Sequence, residues 1–293
     1  MGPVRGANTI ARVPARLAIE ETGQGEPLVL LHGIATDRHI WDLVTPLLAL
    51  DRRVVAVDLP GFGDSAPTGD EFELEHVAER IARGLAGHGI RRPFDLVGHS
   101  LGGGVALTLA ACRPRAVKKL VLVAPAGLRP LPPRISGMLA SAADAVIAAR
   151  RAGAPLTDLA WGRRLLLAGV VADGAGLPPT LARKMVQASA TAIRTEPALR
   201  TITSVDLRPR LTESRAPLGV IWGEADQTMP IATLAEITDV RPDALIVRLR
   251  GAGHASMVER PVAFVEALAW LLDELPSVLR DETTTSAKPP MLL

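Results

Sequence analysis

Apolar residues fall into short runs that alternate with helix-spaced faces along most of the chain. Leu28 to Leu31 is a compact run ending at His32-Gly33. Ile40, Trp41, Val44, Leu47 and Leu48 follow at helical spacing. The β-branched run RVVAVD (53–58) closes at the loop signal PGFGD (60–64). Leu74, Val77, Ile81 and Leu85 make a helical face stopped by Gly87 and Gly89. Phe94 to Val97 then reads as a strand, Leu101 to Cys112 as a helix and KLVLVA (119–124) as a strand. This strand–helix–strand rhythm predicts a mostly parallel α/β sheet, doubly wound and covered on both faces.

The rhythm stops near residue 127. Residues 128–205 carry Pro-rich turns and helical stretches such as MLASAADAVIAAR (138–150), with no convincing strand. PLGVIW (217–222) and ALIVRL (244–249) resume it, and an amphipathic helix closes the pattern from Pro261 to Leu275. The expected organisation is a core in two parts, 1–127 and 206–280. A helical cap, 128–205, is inserted between them, and a polar tail, 281–293, is expected to be disordered.

Composition narrows the options. Nearly half of the 293 residues are hydrophobic, enough for a sizeable core, and the net charge is only +2. The basic residues are scattered pairs rather than a stripe, which argues against nucleic acid as a partner. No apolar run approaches the roughly 18 residues of a membrane span, and the start MGPVRG lacks a signal-peptide core. Cys112 is the single cysteine, so no internal disulfide can form and a reducing, cytoplasmic setting is expected.

The chemistry concentrates in LVGHSLGGG (96–104). A serine among glycines could be a helix N-cap. Here, however, Gly98-His99-Ser100-Leu101-Gly102 is G-x-S-x-G between a predicted strand and a predicted helix, the setting of a nucleophile elbow. Such a turn strains its central residue and leaves no room for side chains at 98 and 102. It also aims a helix N-terminus, with the Leu101 N–H, at a developing oxyanion. A phosphate-cradling loop is the weaker reading, because no Gly-Lys-Ser/Thr ending follows.

A serine needs a base, and His254 is the only histidine after Ser100. For the acid, IWGEADQTMP (221–230) offers Glu224 and Asp226. Asp226 is favoured because Glu224 sits closer to the strand end. The Ile34 N–H, in the loop after the first predicted strand, is the candidate for the second oxyanion donor. His32 is expected to brace that loop, His99 to pack beside the elbow and Cys112 to be a small buried hydrophobe. His39, His76 and His88 show no metal spacing and read as surface or loop residues. No cofactor is expected, and the partner is a small-molecule substrate.

HGIATDRHIW, DLPGFGDS, GHSLGGG, WGEADQTMP and GHASMVERP, in this order, resemble the α/β-hydrolase superfamily over nearly the whole chain. The resemblance implies an eight-stranded, mostly parallel sheet with a helical cap. It also implies Ser100, Asp226 and His254 as triad, with Ile34 and Leu101 as oxyanion donors. Dehalogenases and epoxide hydrolases of this fold use an Asp nucleophile, and the latter also use cap tyrosines; this chain has Ser100 and no tyrosine. Hydroxynitrile lyases rely on a Lys beside the histidine, which is missing. Meta-cleavage-product hydrolases usually carry Asn before the serine and Trp after the histidine, where this chain has His99 and Ala255. Esterases and lipase-like enzymes are nearest. The leading expectation is hydrolysis of carboxylic esters of apolar acyl groups. The alternatives are C–C bond hydrolysis or cofactor-free haloperoxidase-like chemistry on the same triad. A non-catalytic binding protein of this fold would typically have lost a triad member.

Overall fold

Valine- and leucine-rich runs too short for helices build the centre of the molecule. The computed structural model describes residues 17–276, apart from 68, 70 and 92. Seven strands are found among the described residues: β1 (Ile19–Thr22), β2 (Glu26–Leu31), β3 (Arg52–Val57), β4 (Phe94–His99), β5 (Val117–Val123), β6 (Leu218–Gly223) and β7 (Leu245–Leu249). They form one sheet in the order β1-β3-β2-β4-β5-β6-β7, parallel except for β1, which runs antiparallel to β3. β1 has no counterpart in the hydrophobic pattern. Its sequence, IEET, is largely exposed, as a short edge strand can be. The implied eighth strand is absent among the described residues.

The central strands are apolar on both faces because helices cover both. Leu28 to Leu31 and Leu120 to Val123 are all buried. One core layer joins Val29, Leu31 and Leu96 to α1 (Leu74–Gly87) and α2 (Leu101–Cys112). The opposite layer joins Leu28, Leu30 and Val97 to Trp41 and to α7 (Pro261–Glu274). α1 is amphipathic and buries Leu74, Val77, Ile81 and Leu85. α2 is buried on every side from Leu101 to Ala110, which its run of small residues permits.

Two local expectations fail. The helical face from Ile40 to Leu48 is realised as a 3₁₀ turn, Arg38–Trp41, and a separate short helix, Thr45–Leu48. Pro46 lacks an N–H and its ring opposes a continuous helix through residue 42, so the apolar positions are met by two turns. Cys112 is exposed rather than buried, because it falls in the last turn of α2 where that helix leaves the core.

Between β5 and β6 the named elements are all helical. The longer ones are α3 (Pro133–Gly153), α4 (Ala160–Leu166), α5 (Pro179–Thr191) and α6 (Thr195–Ser204). The expected tail, 281–293, lies outside the described residues.

The strand order reverses between β2 and β4, since β3 lies on one side of β2 and β4 on the other. The loops leaving the carboxyl ends of β2 and β4 therefore diverge and open a crevice between them. Leu31 pairs with Gly98 at this edge, which places residues 32–35 beside Ser100.

Candidate active site

β4 ends in a turn that only glycine neighbours allow. Ser100 has φ 54° and ψ −116°, a strained conformation for a residue with a side chain. Its N–H donates to the Val123 carbonyl at 3.0 Å, and its own carbonyl accepts from the N–H groups of Gly103, Gly104 and Ala126. A Cβ on Gly98 would overlap the Gly102 carbonyl oxygen and come within 2.7 Å of the Ala106 Cβ. One on Gly102 would overlap the His32 carbonyl and stand 2.6 Å from the Leu31 carbonyl oxygen. Ser100 is thus fixed at the head of α2, where that helix's dipole favours negative charge.

His254 and Asp226 meet on the loops after β7 and β6. His254 Nδ1 donates to Asp226 Oδ2 at 2.7 Å, with both side chains almost wholly buried. Asp226 Oδ1 accepts the N–H groups of Thr228 and Met229, each at 2.8 Å. The carboxylate is therefore oriented by the turn that follows it, and His254 is left with Nε2 free to accept a proton. Glu224 is exposed, and no hydrogen bond or ion pair joins its side chain to this pair among the described residues. Ser100 and His254 line one cavity, yet no hydrogen bond joins them among the described residues. Such links are often long before substrate is bound.

His99 does more than pack. Its Nε2 donates to the His254 carbonyl at 3.0 Å, and the two rings lie 4.7 Å apart. Nδ1 is buried without a hydrogen-bond partner among the described residues. Burial, reinforced by the neighbouring His254, holds the His99 pKa well below the usual imidazole range, so this ring stays neutral. His32 braces as expected. Its Nδ1 donates to the Gly33 carbonyl at 2.7 Å and its Nε2 accepts the Leu59 N–H at 2.9 Å. Burial lowers its pKa too. His32 so ties the loop after β2 to the loop after β3.

Two further supports fall inside quoted motifs, but the sequence assigns them no partner. Asp58 accepts the Arg38 N–H at 2.7 Å and the Asp64 N–H at 2.9 Å, and it also pairs with the Arg38 guanidinium. Glu259 accepts the Gly253 N–H at 2.7 Å and the Ala172 N–H at 2.6 Å, joining the histidine loop to the helical insertion. Burial raises the Glu259 pKa despite these bonds. A carboxylate just after GHASMV could have been suspected from its place in the sequence, but not its partner on residue 172.

Two cavities meet at Ser100 and share Ile34 and Thr228. The smaller, about 220 Å³, is lined by His99, His254, Arg150 and the stretch from Leu167 to Val170. The larger, about 530 Å³, is lined by Leu101 and by apolar residues such as Leu128, Leu131, Leu139, Leu199 and Ile202. Ile34 and Leu101 therefore stand at the junction beside Ser100. Other apolar residues of the insertion, Met138, Trp161 and Leu165, face outward. Among the described residues no group of three or more His, Cys, Asp or Glu could hold a metal ion.

A mostly parallel sheet with a strained, glycine-flanked serine turn after β4 and a helical insertion before β6 is the arrangement the α/β-hydrolase resemblance implies. Residues 28–267 match the family model described as Alpha/beta hydrolase family, and the chain belongs to that family. It is similar to pimeloyl-[acyl-carrier protein] methyl ester esterases. The one from Nitrosomonas europaea is 30% identical over 269 residues, spanning 86% of this chain and 97% of the relative. The one from Aeromonas hydrophila is 28% identical over 270 residues, with the same coverages. Among solved structures, a bacterial membrane phospholipase A described as a virulence factor is 27% identical with a TM-score of 0.69, covering 89% of this chain and 87% of that one. By family the chain is a hydrolase of this fold, and the relatives named above are ester hydrolases. No helix among the described residues is long and apolar enough to cross a membrane.

Proposed function

We propose that the protein cleaves carboxylic esters of apolar acyl groups through an acyl-enzyme on Ser100, with His254 as base and Asp226 as its orienting acid. The observation that carries this reading is the 2.7 Å His254–Asp226 pair bordering the cavity that also exposes the strained Ser100. His254 Nε2 takes the Ser100 proton as Oγ attacks the ester carbonyl. The resulting oxyanion is met by the N–H groups of Ile34 and Leu101. His254 then protonates the departing alkoxide, and later deprotonates the water that releases the acid.

The same logic sorts the two cavities. The leaving oxygen must lie within reach of His254, which lines only the smaller cavity, so the alcohol occupies that side. The acyl chain runs past Leu101 into the larger, apolar cavity, whose volume falls in the range typical of ligand sites. Residues 128–205 act as a cap over a core expected from 1–127 and 206–280, of which 1–16 and 277–280 lie outside the described residues. Its residues Leu131, Leu139 and Leu199 wall the acyl cavity. The methyl ester activity named for the Nitrosomonas and Aeromonas relatives favours ester over C–C bond cleavage.

A fluorophosphonate probe tests the assignment. Wild type should be labelled at Ser100, and Ser100→Ala should lose both labelling and turnover of p-nitrophenyl butyrate while keeping its melting temperature. Labelling that persists in Ser100→Ala would overturn the nucleophile. Faster turnover of a vinylogous dienone than of any ester would overturn the substrate class.

A further inference from the structure

Arg150, on α3, is a half-buried guanidinium on the wall of the smaller cavity, opposite no carboxylate. None of the described residues lining that cavity is acidic. The hydrogen bond recorded for Arg150 goes from Nη1 to the neutral Ser189 Oγ at 3.1 Å, and no ion pair engages it among the described residues. The fork has five N–H donors, so most of its capacity is unspent. Arg163, in the same insertion, shows the structural alternative: its Nη1 and Nη2 donate to the carbonyls of Thr157, Asp158 and Ala175, leaving only the buried Nε without a partner among the described residues. A partly buried cation without a counter-ion is costly unless a ligand supplies one. Burial lowers the Arg150 pKa from its ordinary value, the mark of that cost, yet guanidinium remains charged.

We propose that Arg150 is a specificity-determining residue that binds a carboxylate on the alcohol portion of the substrate, so that preferred substrates are apolar acyl esters of short hydroxy acids. The proposal rests on the ester-hydrolase reading above, in which His254 assigns the smaller cavity to the alcohol. Size sets the word short: about 220 Å³ lies below the range of drug-sized sites. Geometry favours a carboxylate, which the planar fork can grip through two parallel bonds. Hydrolysis is balanced without a co-reactant: water adds to the acyl carbon, and the hydroxy acid leaves with a proton from His254.

The test compares two isosteric esters, carboxymethyl butanoate and its neutral amide analogue carbamoylmethyl butanoate. The ratio of their kcat/KM values is measured in wild type, Arg150→Lys and Arg150→Gln, so that intrinsic reactivity cancels between enzymes. The anion-to-amide ratio should fall about tenfold or more in Arg150→Gln and by less in Arg150→Lys. A ratio unchanged within twofold in Arg150→Gln overturns the proposal. Calorimetry on wild type decides the matter even if a variant fails to fold: glycolate should bind about tenfold or more tightly than glycolamide, weakening with salt, and equal binding overturns the proposal. If wild type cleaves neither ester nor any p-nitrophenyl ester, the ester reading fails by itself, and the calorimetry still decides the role of Arg150.

Discussion

Replacing Asp226 by Asn separates charge from shape at the acid position. Oδ1 of Asp226 accepts two backbone N–H groups, from Thr228 and Met229, at 2.8 Å each. In the variant this place must go to the amide oxygen, because an NH₂ there would oppose two donors. The Asn NH₂ is then forced toward His254 Nδ1, which now has to accept. The imidazole proton moves to Nε2 and points at Ser100, so the ring can no longer take the Ser100 proton. The shape is kept, and the His99 bond to the His254 carbonyl is unaffected by the tautomer. The loss should fall on kcat and reach about 10⁴-fold, near 5 kcal/mol of transition-state stabilisation. Steady-state hydrolysis of p-nitrophenyl butyrate, with folding checked by circular dichroism, reads the effect. Glu224→Gln should stay within a few-fold of wild type, since Glu224 is exposed. An Asp226→Asn enzyme within tenfold of wild type, or a Glu224→Gln enzyme carrying the large loss, would refute the assignment.

Three other outcomes follow from the same geometry. Gly98→Ala should destabilise by about 3 kcal/mol or more in urea unfolding, because the new Cβ meets the Gly102 carbonyl and neither segment can yield; a change below 1 kcal/mol would contradict the packing of the turn. Stability should decline in acid. His32 and His99 are buried neutral with lowered folded pKa values, whereas the unfolded chain takes up their protons near pH 6.5. Their contribution is full above that pH and is lost as pH falls toward the lowered folded values, at up to about 1.4 kcal/mol per pH unit for each ring. Urea midpoints that are flat from pH 7.5 to 5.5 would argue against two neutral buried rings. Lengthening the acyl chain should raise kcat/KM by up to about fourfold per buried methylene until the larger cavity is full. Leu139→Trp should bring that optimum to a shorter chain, and an optimum unmoved by this substitution would place the acyl group elsewhere.

The central strands could be read from the chain because they are apolar on both faces and therefore appear as runs. β1 could not, since an exposed edge strand has no such pattern and is recruited by pairing with β3. The elbow was readable for a different reason: its glycines answer a local backbone demand that the chain itself states. His254 and Asp226 could be nominated by order alone, but their contact depends on two loops brought together by β6 and β7. The bracing by His99 and Glu259 depends on long-range geometry with no spacing rule. Arg150 lies in a helix whose pattern gives no sign of which face meets the crevice. A cation becomes informative there only when its neighbours are seen to lack an acid.

In the mechanism proposed above, the smaller cavity also governs the second half of the reaction. Once the ester bond is broken, the acyl group stays on Ser100 and the alcohol must vacate the space beside His254. The water that frees the enzyme needs the same base and so enters the same space. Water and alcohol thus compete for one berth, and an alcohol that lingers or returns there reverses the first step instead of letting it finish. Whatever grips the alcohol tightly therefore slows hydrolysis and favours acyl exchange, so the wall of this cavity sets the partition between cleaving an ester and trading its alcohol for another.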